Sequence, residues 1–384
     1  MNDITTIVLV AIIAPCITVA VIVTQTGSTD GIADILQALE QVIDPQSGHP
    51  ITKVKQVKDV EILADRVKVV VGLTSHSAPL KKDFSENLSE RLKQRFPEVQ
   101  QWDIEIVDHE RTIAPIGQIG LTCRSVIAVG SGKGGVGKST VATSLAYGLK
   151  KAGCRVGLMD ADVYGPSVPQ LTGLSGRPTQ ENGKIQPIIH DGMPVMSIGF
   201  MVPVDEAVIW RGPMLHSAVT QFVRDTAWGD LDYLIIDMPP GTGDVALTLS
   251  QLLPLSGSIV VCTPQKVALL DAIKAIAMFH KVKIPVAGIV ENMSTFLCPD
   301  NGKRYDIFGS GGARRLAEEA EIPFLGEIPI TIPVRERGDE GTTQANMDDP
   351  NVAPYIERIV YQLARRMADI ARQDPAKPQL PVLG

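Results

Sequence analysis

The stretch Val126–Thr140, VIAVGSGKGGVGKST, restricts the possible folds of this chain more than any other. Four apolar residues, Val126 to Val129, end in Gly130, and Gly132, Gly134, Gly135 and Gly137 follow before Lys138, Ser139 and Thr140. The apolar run predicts a buried strand, the glycines a loop whose backbone comes close to something, and the residues from Lys138 to Ala152 a helix. Such a strand–loop–helix unit aims loop N–H groups and the positive end of a helix dipole at one point, which suits an anion with several oxygens.

The spacing Gly132-x4-Gly137-Lys138-Ser139 matches the phosphate loop of nucleoside triphosphatases. The expected nucleotide-binding residues are Gly132, Lys133, Gly134, Gly135, Val136, Gly137, Lys138, Ser139 and Thr140. Lys138 would reach the β- and γ-phosphates of ATP, and Ser139 would offer its hydroxyl to Mg²⁺. Two later apolar runs end in acids: Val156 to Met159 leads into Asp160-Ala161-Asp162, and LDYLIID closes on Asp237. Carboxylates at the carboxyl ends of parallel strands face the ligand crevice. Asp237 is therefore expected to hold Mg²⁺ through a water, and Asp160 to support the metal or its water shell. Pro239 to Gly243 form a loop able to respond to the γ-phosphate, with Asp244 as cap of the next helix, while Gly173 to Pro187 read as loop. Alternating strands and helices after residue 125 imply a doubly wound, mostly parallel α/β sheet over residues 125–374.

The net charge is −7 and no basic block occurs, so nucleic acid is not an implied partner. Five cysteines, at positions 16, 123, 154, 262 and 298, form no paired framework, which suits a reducing compartment. Cys123, Cys154 and Cys262 sit in or at the start of apolar runs and read as core residues. Residues 4–24 carry no charge and are long enough to span a bilayer as a helix, making them a candidate transmembrane anchor; the alternative is an extension from a misplaced start. An anchored ATPase would face the cytoplasm, at the inner membrane; an unanchored one would be cytoplasmic.

Between the candidate anchor and the phosphate loop, residues 28–108 read as a small α+β domain of order α-β-β-α-β. Ile32, Ile35, Leu36, Leu39 and Ile43 share a helical face, and Val67, Val69 and Val71 alternate, as do Trp102, Ile104 and Ile106. His76 and His109 read as exposed loop residues. Residues 109–124 form a linker whose Pro115, Gly117 and Gly120 suggest a hinge. A carboxy-terminal helix from about Pro354 carries the stripe Ile356, Ile359, Val360, Leu363, Met367 and Ile370. That stripe suits packing on a core, or alternatively a membrane-targeting face; Glu357 and Asp369 favour packing. Residues 375–384 read as a disordered tail.

KGGVGKST resembles the deviant phosphate loop of the MinD/ParA class of dimeric ATPases, and WRGPM (210–214) with LDYLIIDMPPGTGD (231–244) is similar to the Mrp-type iron–sulfur carriers. IDPQSGHPI and LTSHSAPLKKDF resemble the small iron–sulfur-assembly domain that precedes such carriers. The likeness spans residues 30 to about 345 and implies a homodimer that hydrolyses ATP while loading clusters and passing them to apoprotein clients. It implies that Lys133 reaches the partner's nucleotide as a second catalytic lysine, that Asp162 positions the attacking water, and that Asn292 hydrogen-bonds adenine. It also implies an iron–sulfur cluster bridging the dimer through Cys298. The chain departs from this pattern twice. Relatives often carry Cys-Pro-x-Cys where this chain has Cys298-Pro299-Asp300-Asn301, and a cysteine before the proline that is Pro79 here, where Ala78 stands. Two Cys298 thiolates per dimer fall short of the four that an all-cysteine cluster needs. A metal-free ATP-driven switch and a membrane-tethered scaffold therefore remain as alternatives.

Overall fold

The computed structural model describes residues 8–9, 22–23, 29–63, 66–117, 119–201, 212–241, 243–252 and 254–373. It divides into two compact units, Met1–Arg111 with Ala364–Gly384, and Thr112–Leu363.

In the first unit, strands β1 (Val8–Leu9) and β2 (Ile22–Val23) pair antiparallel. Helix α1 (Thr29–Leu39) precedes strands β3 (Val57–Ile62) and β4 (Arg66–Leu73), and helix α2 (Lys81–Arg95) precedes β5 (Gln101–Asp108). The sheet runs β3-β4-β5, with β4 antiparallel to β3 and parallel to β5. Its apolar face, Val60, Val67, Val69 and Val71, meets Ile32, Ile35 and Leu39 of α1 and Phe84, Leu88 and Leu92 of α2. Each set recurs at the period of its element, two in the strands and three to four in the helices, and this pattern alone dictates the packing.

Two expectations fail here. No continuous helix covers residues 4–24: the described residues in that stretch are the paired strands β1 and β2, and the others lie outside the described residues. Among the described residues no helix is long and apolar enough to cross a membrane. His76 is buried at 6 % exposure, inside a 3-10 turn (Ser75–Leu80) that packs inward through His76, Ser77 and Leu80. The expected tail, 375–384, lies outside the described residues.

The second unit is built on strands β6 (Cys123–Gly130), β7 (Val156–Asp160), β8 (Thr179–Glu181), β9 (Lys184–Gln186), β10 (Ile188–His190), β11 (Met193–Ser197), β12 (Leu231–Asp237), β13 (Gly257–Cys262), β14 (Val286–Leu297), β15 (Arg304–Tyr305) and β16 (Phe324–Ile330). The helices are α3 (Lys138–Lys151), α4 (Val168–Thr172), α5 (Gly212–Asp225), α6 (Gly243–Leu252), α7 (Lys266–Lys281), α8 (Gly312–Glu319), α9 (Ile332–Glu340) and the first part of α10 (Ala353–Gln373), which from Ala364 on is counted with the first unit. The main sheet runs β10-β11-β7-β12-β6-β13-β14, with β15 and β16 both on β14. Only the β10 and β15 pairings are antiparallel.

Strands β12 and β13 are buried along their whole length, which a parallel sheet achieves only when helices cover both faces. The chain leaves β6 to build β7 and β12 on one side, then β13, β14 and β16 on the other. The reversal falls at β6, whose carboxyl end therefore opens into a crevice. Residues 173–187 are not simply loop: β8 and β9 form a hairpin, because Asn182 (φ 50°) and Gly183 (φ 75°) both adopt the left-handed conformation of a two-residue turn. Helix α6 starts at Gly243, which puts Asp244 in its first turn instead of ahead of it. Ile356, Ile359, Val360, Leu363 and Met367 are buried, and the Val360 and Ile356 methyls press on Gly148 of α3 so tightly that a Cβ there would collide.

Candidate nucleotide site

Register fixes where the acids stand. Asp237 pairs with Val129 of β6 on one side and with Asp160 of β7 on the other, so three strand ends lie level around the glycine loop. The loop leaves β6, turns left-handed at Gly137 (φ 75°) and opens α3. Gly137 must be glycine twice over, since a Cβ there would also sit 2.1 Å from the Asn292 amide nitrogen. Gly132 carries a similar demand from α7, where a Cβ would lie 2.0 Å from the Asp271 carbonyl oxygen.

Lys138, though charged, is only 6 % exposed. Its ammonium donates to Asp237 Oδ1 at 2.5 Å and to Ser139 Oγ at 3.2 Å, and lies 3.6 Å from Asp162 Oδ2. A lysine buried among carboxylates at the start of a helix is tolerated only because the charges are paired. Burial pushes the Asp237 carboxyl above its ordinary range, while the adjacent Lys138 ammonium pulls it back. Its second oxygen, Oδ2, is buried and accepts no hydrogen bond from protein among the described residues. An orphaned carboxylate oxygen beside the Ser139 hydroxyl fits the donor set of a water-coordinated Mg²⁺.

Asp160 does not fit the metal role expected of it. It is fully buried, and both oxygens are engaged: Oδ1 accepts from the Asp162 N–H at 3.0 Å, Oδ2 from the Val168 N–H at 3.2 Å and from Ser197 Oγ at 3.0 Å. Burial and then the neighbouring Asp237 push its carboxyl up. The residue ties the loop after β7 into a ring. Asp162 is left at the mouth, its Oδ1 accepting from the Gly165 N–H at 3.3 Å.

Asn292, at the bulged end of β14, donates its amide to the Val136 carbonyl at 2.9 Å and so props the glycine loop from behind. Met293 beside it is held at φ 54°, a conformation that costs energy for a residue with a Cβ. Lys133 is half-buried, and among the described residues no carboxylate lies within ion-pair distance of its ammonium. The loop 239–241 is tied to the site by the Gly241 N–H, which donates to the Ser131 carbonyl at 3.0 Å. Trp210, Arg211 and Thr242 lie outside the described residues.

Lys133, Gly135, Lys138, Ser139, Asp162 and Asn292 line one side of a cavity of about 840 Å³ at the loop end. Its far wall was not foreseen: Gln170 and Leu171 of α4 and Val334, Arg335, Gly338 and Asp339 of α9 complete it. Nothing in the composition of IPVRERGDE marks it as a wall; the parallel pairing of β16 with β14 is what carries α9 there.

Cys298 stands apart, at the tip of the β14–β15 hairpin, where its N–H donates to the Lys303 carbonyl and the Gly302 N–H to its own carbonyl. It alone among the described cysteines is partly exposed. Cys123 and Cys262 are buried, with thiols pushed up to about 12, and burial raises Cys154 as well. Those three are inert as ligands. Asn301 Oδ1 accepts from the Lys303 N–H at 2.9 Å, so the residue in the usual second-cysteine place stabilises the turn. Among the described residues no group of three or more histidines, cysteines or acids could hold a metal ion.

Against known proteins, residues 122–365 match the family described as NUBPL iron-transfer P-loop NTPase, and residues 32–102 match the iron–sulfur cluster assembly protein family. The chain is 43 % identical to an iron–sulfur cluster carrier protein of Deinococcus radiodurans, over 91 % of this chain and 99 % of that one. Identity to the iron–sulfur cluster carrier protein of Escherichia coli is 42 %, over 85 % and 87 % of the two chains. A nucleotide-binding protein from Archaeoglobus fulgidus, solved in complex with ADP, superimposes with a TM-score of 0.53 at 40 % identity, covering 60 % of this chain and 90 % of that one.

Proposed function

Because this chain belongs to the NUBPL iron-transfer P-loop NTPase family, we propose that it works as a homodimer that hydrolyses ATP with Mg²⁺ and carries iron–sulfur clusters to apoproteins. The observation that carries the reading is the convergence of Lys138, Asp162 and Asp237 on the mouth of the glycine loop. ATP phosphates would lie along the loop N–H groups and draw the Lys138 ammonium away from Asp237. Ser139 and a water on Asp237 Oδ2 would hold Mg²⁺, which supplies neutralising charge at the phosphates. Asp162 would orient a water in line with the γ-phosphorus, so that the water oxygen bonds to phosphorus as the bond to the ADP oxygen breaks. Lys133 would add positive charge at the partner subunit's phosphates, as the resemblance to the MinD/ParA class implies. Asn292 holds the loop and borders the cavity, where its amide could also meet adenine. Asp160 acts by holding the Asp162 loop.

The cluster is cargo, and Cys298 is its proposed ligand. Cys298, the partly exposed thiol among the described residues, provides two thiolates per dimer, so the remaining coordination would come from small-molecule thiols. A metal-free, nucleotide-driven switch is the second reading, favoured by the engagement of Asn301 in its own turn. The test is anaerobic reconstitution of the full chain with iron and sulfide, with metal, sulfide and ATP turnover measured beside Cys298→Ser. Cluster in the wild type and its loss in the variant support the carrier; turnover with no cluster in either supports the switch.

A further inference from the structure

The far wall of the cavity and the Asp162 loop are joined by a single short element, α4. At its amino end the Val168 N–H is bonded to Asp160, the residue that also fixes the Asp162 N–H. At its carboxyl end Gly173 (φ 66°) meets Gly341 backbone to backbone: a Cβ on Gly173 would lie 2.7 Å from the Gly341 carbonyl oxygen, and one on Gly341 2.4 Å from the Gly173 Cα. Between these ends, Gln170 Nε2 donates to the Asp339 carbonyl of α9 at 2.6 Å, and Thr343 Oγ1 donates to the Leu171 carbonyl at 2.6 Å. The wall that the nucleoside end of a ligand would touch is thus clasped to the loop that holds Asp162.

We propose that Gln170 is a positioning residue: through its bond to Asp339 it makes hydrolysis at Asp162 depend on a nucleoside resting against α9. This rests on the reading of Asp162 as the residue that orients water. A ligand that orders α9 would order α4 and, through Asp160, the Asp162 carboxylate; a triphosphate without a nucleoside would lack the nucleoside's contact with α9 and gain less from the clasp. Coupling of this kind typically amounts to 5–150-fold.

The experiment compares steady-state hydrolysis of ATP and of inorganic tripolyphosphate by the full chain, by Gln170→Glu, which loses the donor while keeping the shape, and by Gln170→Lys, which restores a donor. The expected result is that Gln170→Glu lowers kcat for ATP about tenfold more than it lowers the rate on tripolyphosphate, and that Gln170→Lys restores the ATP rate. Equal loss on both substrates would overturn the proposal and make Gln170 merely structural, and so would no loss on either. Asp162→Asn separates the two claims. If it retains wild-type turnover the catalytic reading itself fails; if it is inactive while Gln170→Glu is normal, only the coupling fails.

Discussion

The glycine loop and the Cys298 hairpin are both strand-end turns in the same sheet, yet the first meets every position of the motif it resembles and the second meets one of two cysteine positions. The loop works through backbone N–H groups, a helix end and one lysine, and the surrounding contacts at Gly132 and Gly137 leave little room for variation. The hairpin offers one side-chain thiol, Cys298, and Asn301 keeps the turn by accepting from the Lys303 N–H without adding a second. A site built from backbone geometry resists drift because substitution breaks packing; a site built from exposed side chains can lose its chemistry without loss of fold.

That contrast breaks most visibly at Lys138. Lys138→Ala should lower ATP turnover by about 10³-fold or more, since it removes the cation at the transferring phosphate, and circular dichroism should still show the α/β fold. Turnover near the wild-type level would remove the phosphate-loop assignment. The next largest effect concerns the hairpin: Asn301→Cys should raise the cluster bound after reconstitution and slow its loss to a chelator, because the dimer then offers four thiolates. No gain in retention would mean that the hairpin is not the ligand site.

A smaller effect lies under the loop. Asn292→Ala removes the brace on the Val136 carbonyl and should weaken ATP binding with a modest stability loss of about 1 kcal/mol, read by nucleotide titration and urea melts. Unchanged affinity would show that the loop holds its shape unaided.

Asp160 gives the most specific signal, a slope of stability with pH and not a change in activity. Its folded carboxyl is raised, toward about 8, so between the unfolded value near 4 and that point the native state keeps a proton that the unfolded chain has released. Stability from this group is fully present below pH 4 and is lost as pH rises, by at most about 1.4 kcal/mol per unit. Asp160→Asn should flatten that decline in denaturant midpoints measured from pH 5 to 8. A steeper decline in the variant would contradict the assigned direction.

Much of this fold is legible in the sequence. The order of elements, the parallel sheet and the strand-end placing of Asp160 and Asp237 follow from apolar runs that end in acids, and Asn182-Gly183 is a hairpin-turn signal inside a stretch whose composition reads as loop. What sequence could not show are contacts that span the chain. Asn292 reaches Val136 across 156 residues, and Gly173 and Gly341 meet only because β16 is carried beside β14. The role expected of Asp160 finds no support for a similar reason: its acid stands at a strand end, as a metal ligand would, but the Asp162 N–H is bonded to Oδ1 and the Val168 N–H and Ser197 hydroxyl to Oδ2. The candidate anchor at residues 4–24 finds no support among the described residues, of which Val8–Leu9 and Ile22–Val23 pair as strands; length and lack of charge alone do not distinguish a membrane helix from other apolar segments.

The most direct test of an ATP-dependent carrier is cluster transfer. The reconstituted full-length protein would be mixed with an apo-ferredoxin and transfer followed by visible circular dichroism, with ATP, with a non-hydrolysable analogue, and in Lys138→Ala. The account predicts transfer that ATP accelerates, that the analogue does not, and that Lys138→Ala loses while retaining its cluster. Transfer at one rate in all three conditions would contradict the coupling of hydrolysis to release, and a wild-type protein that retains no cluster would contradict the carrier itself.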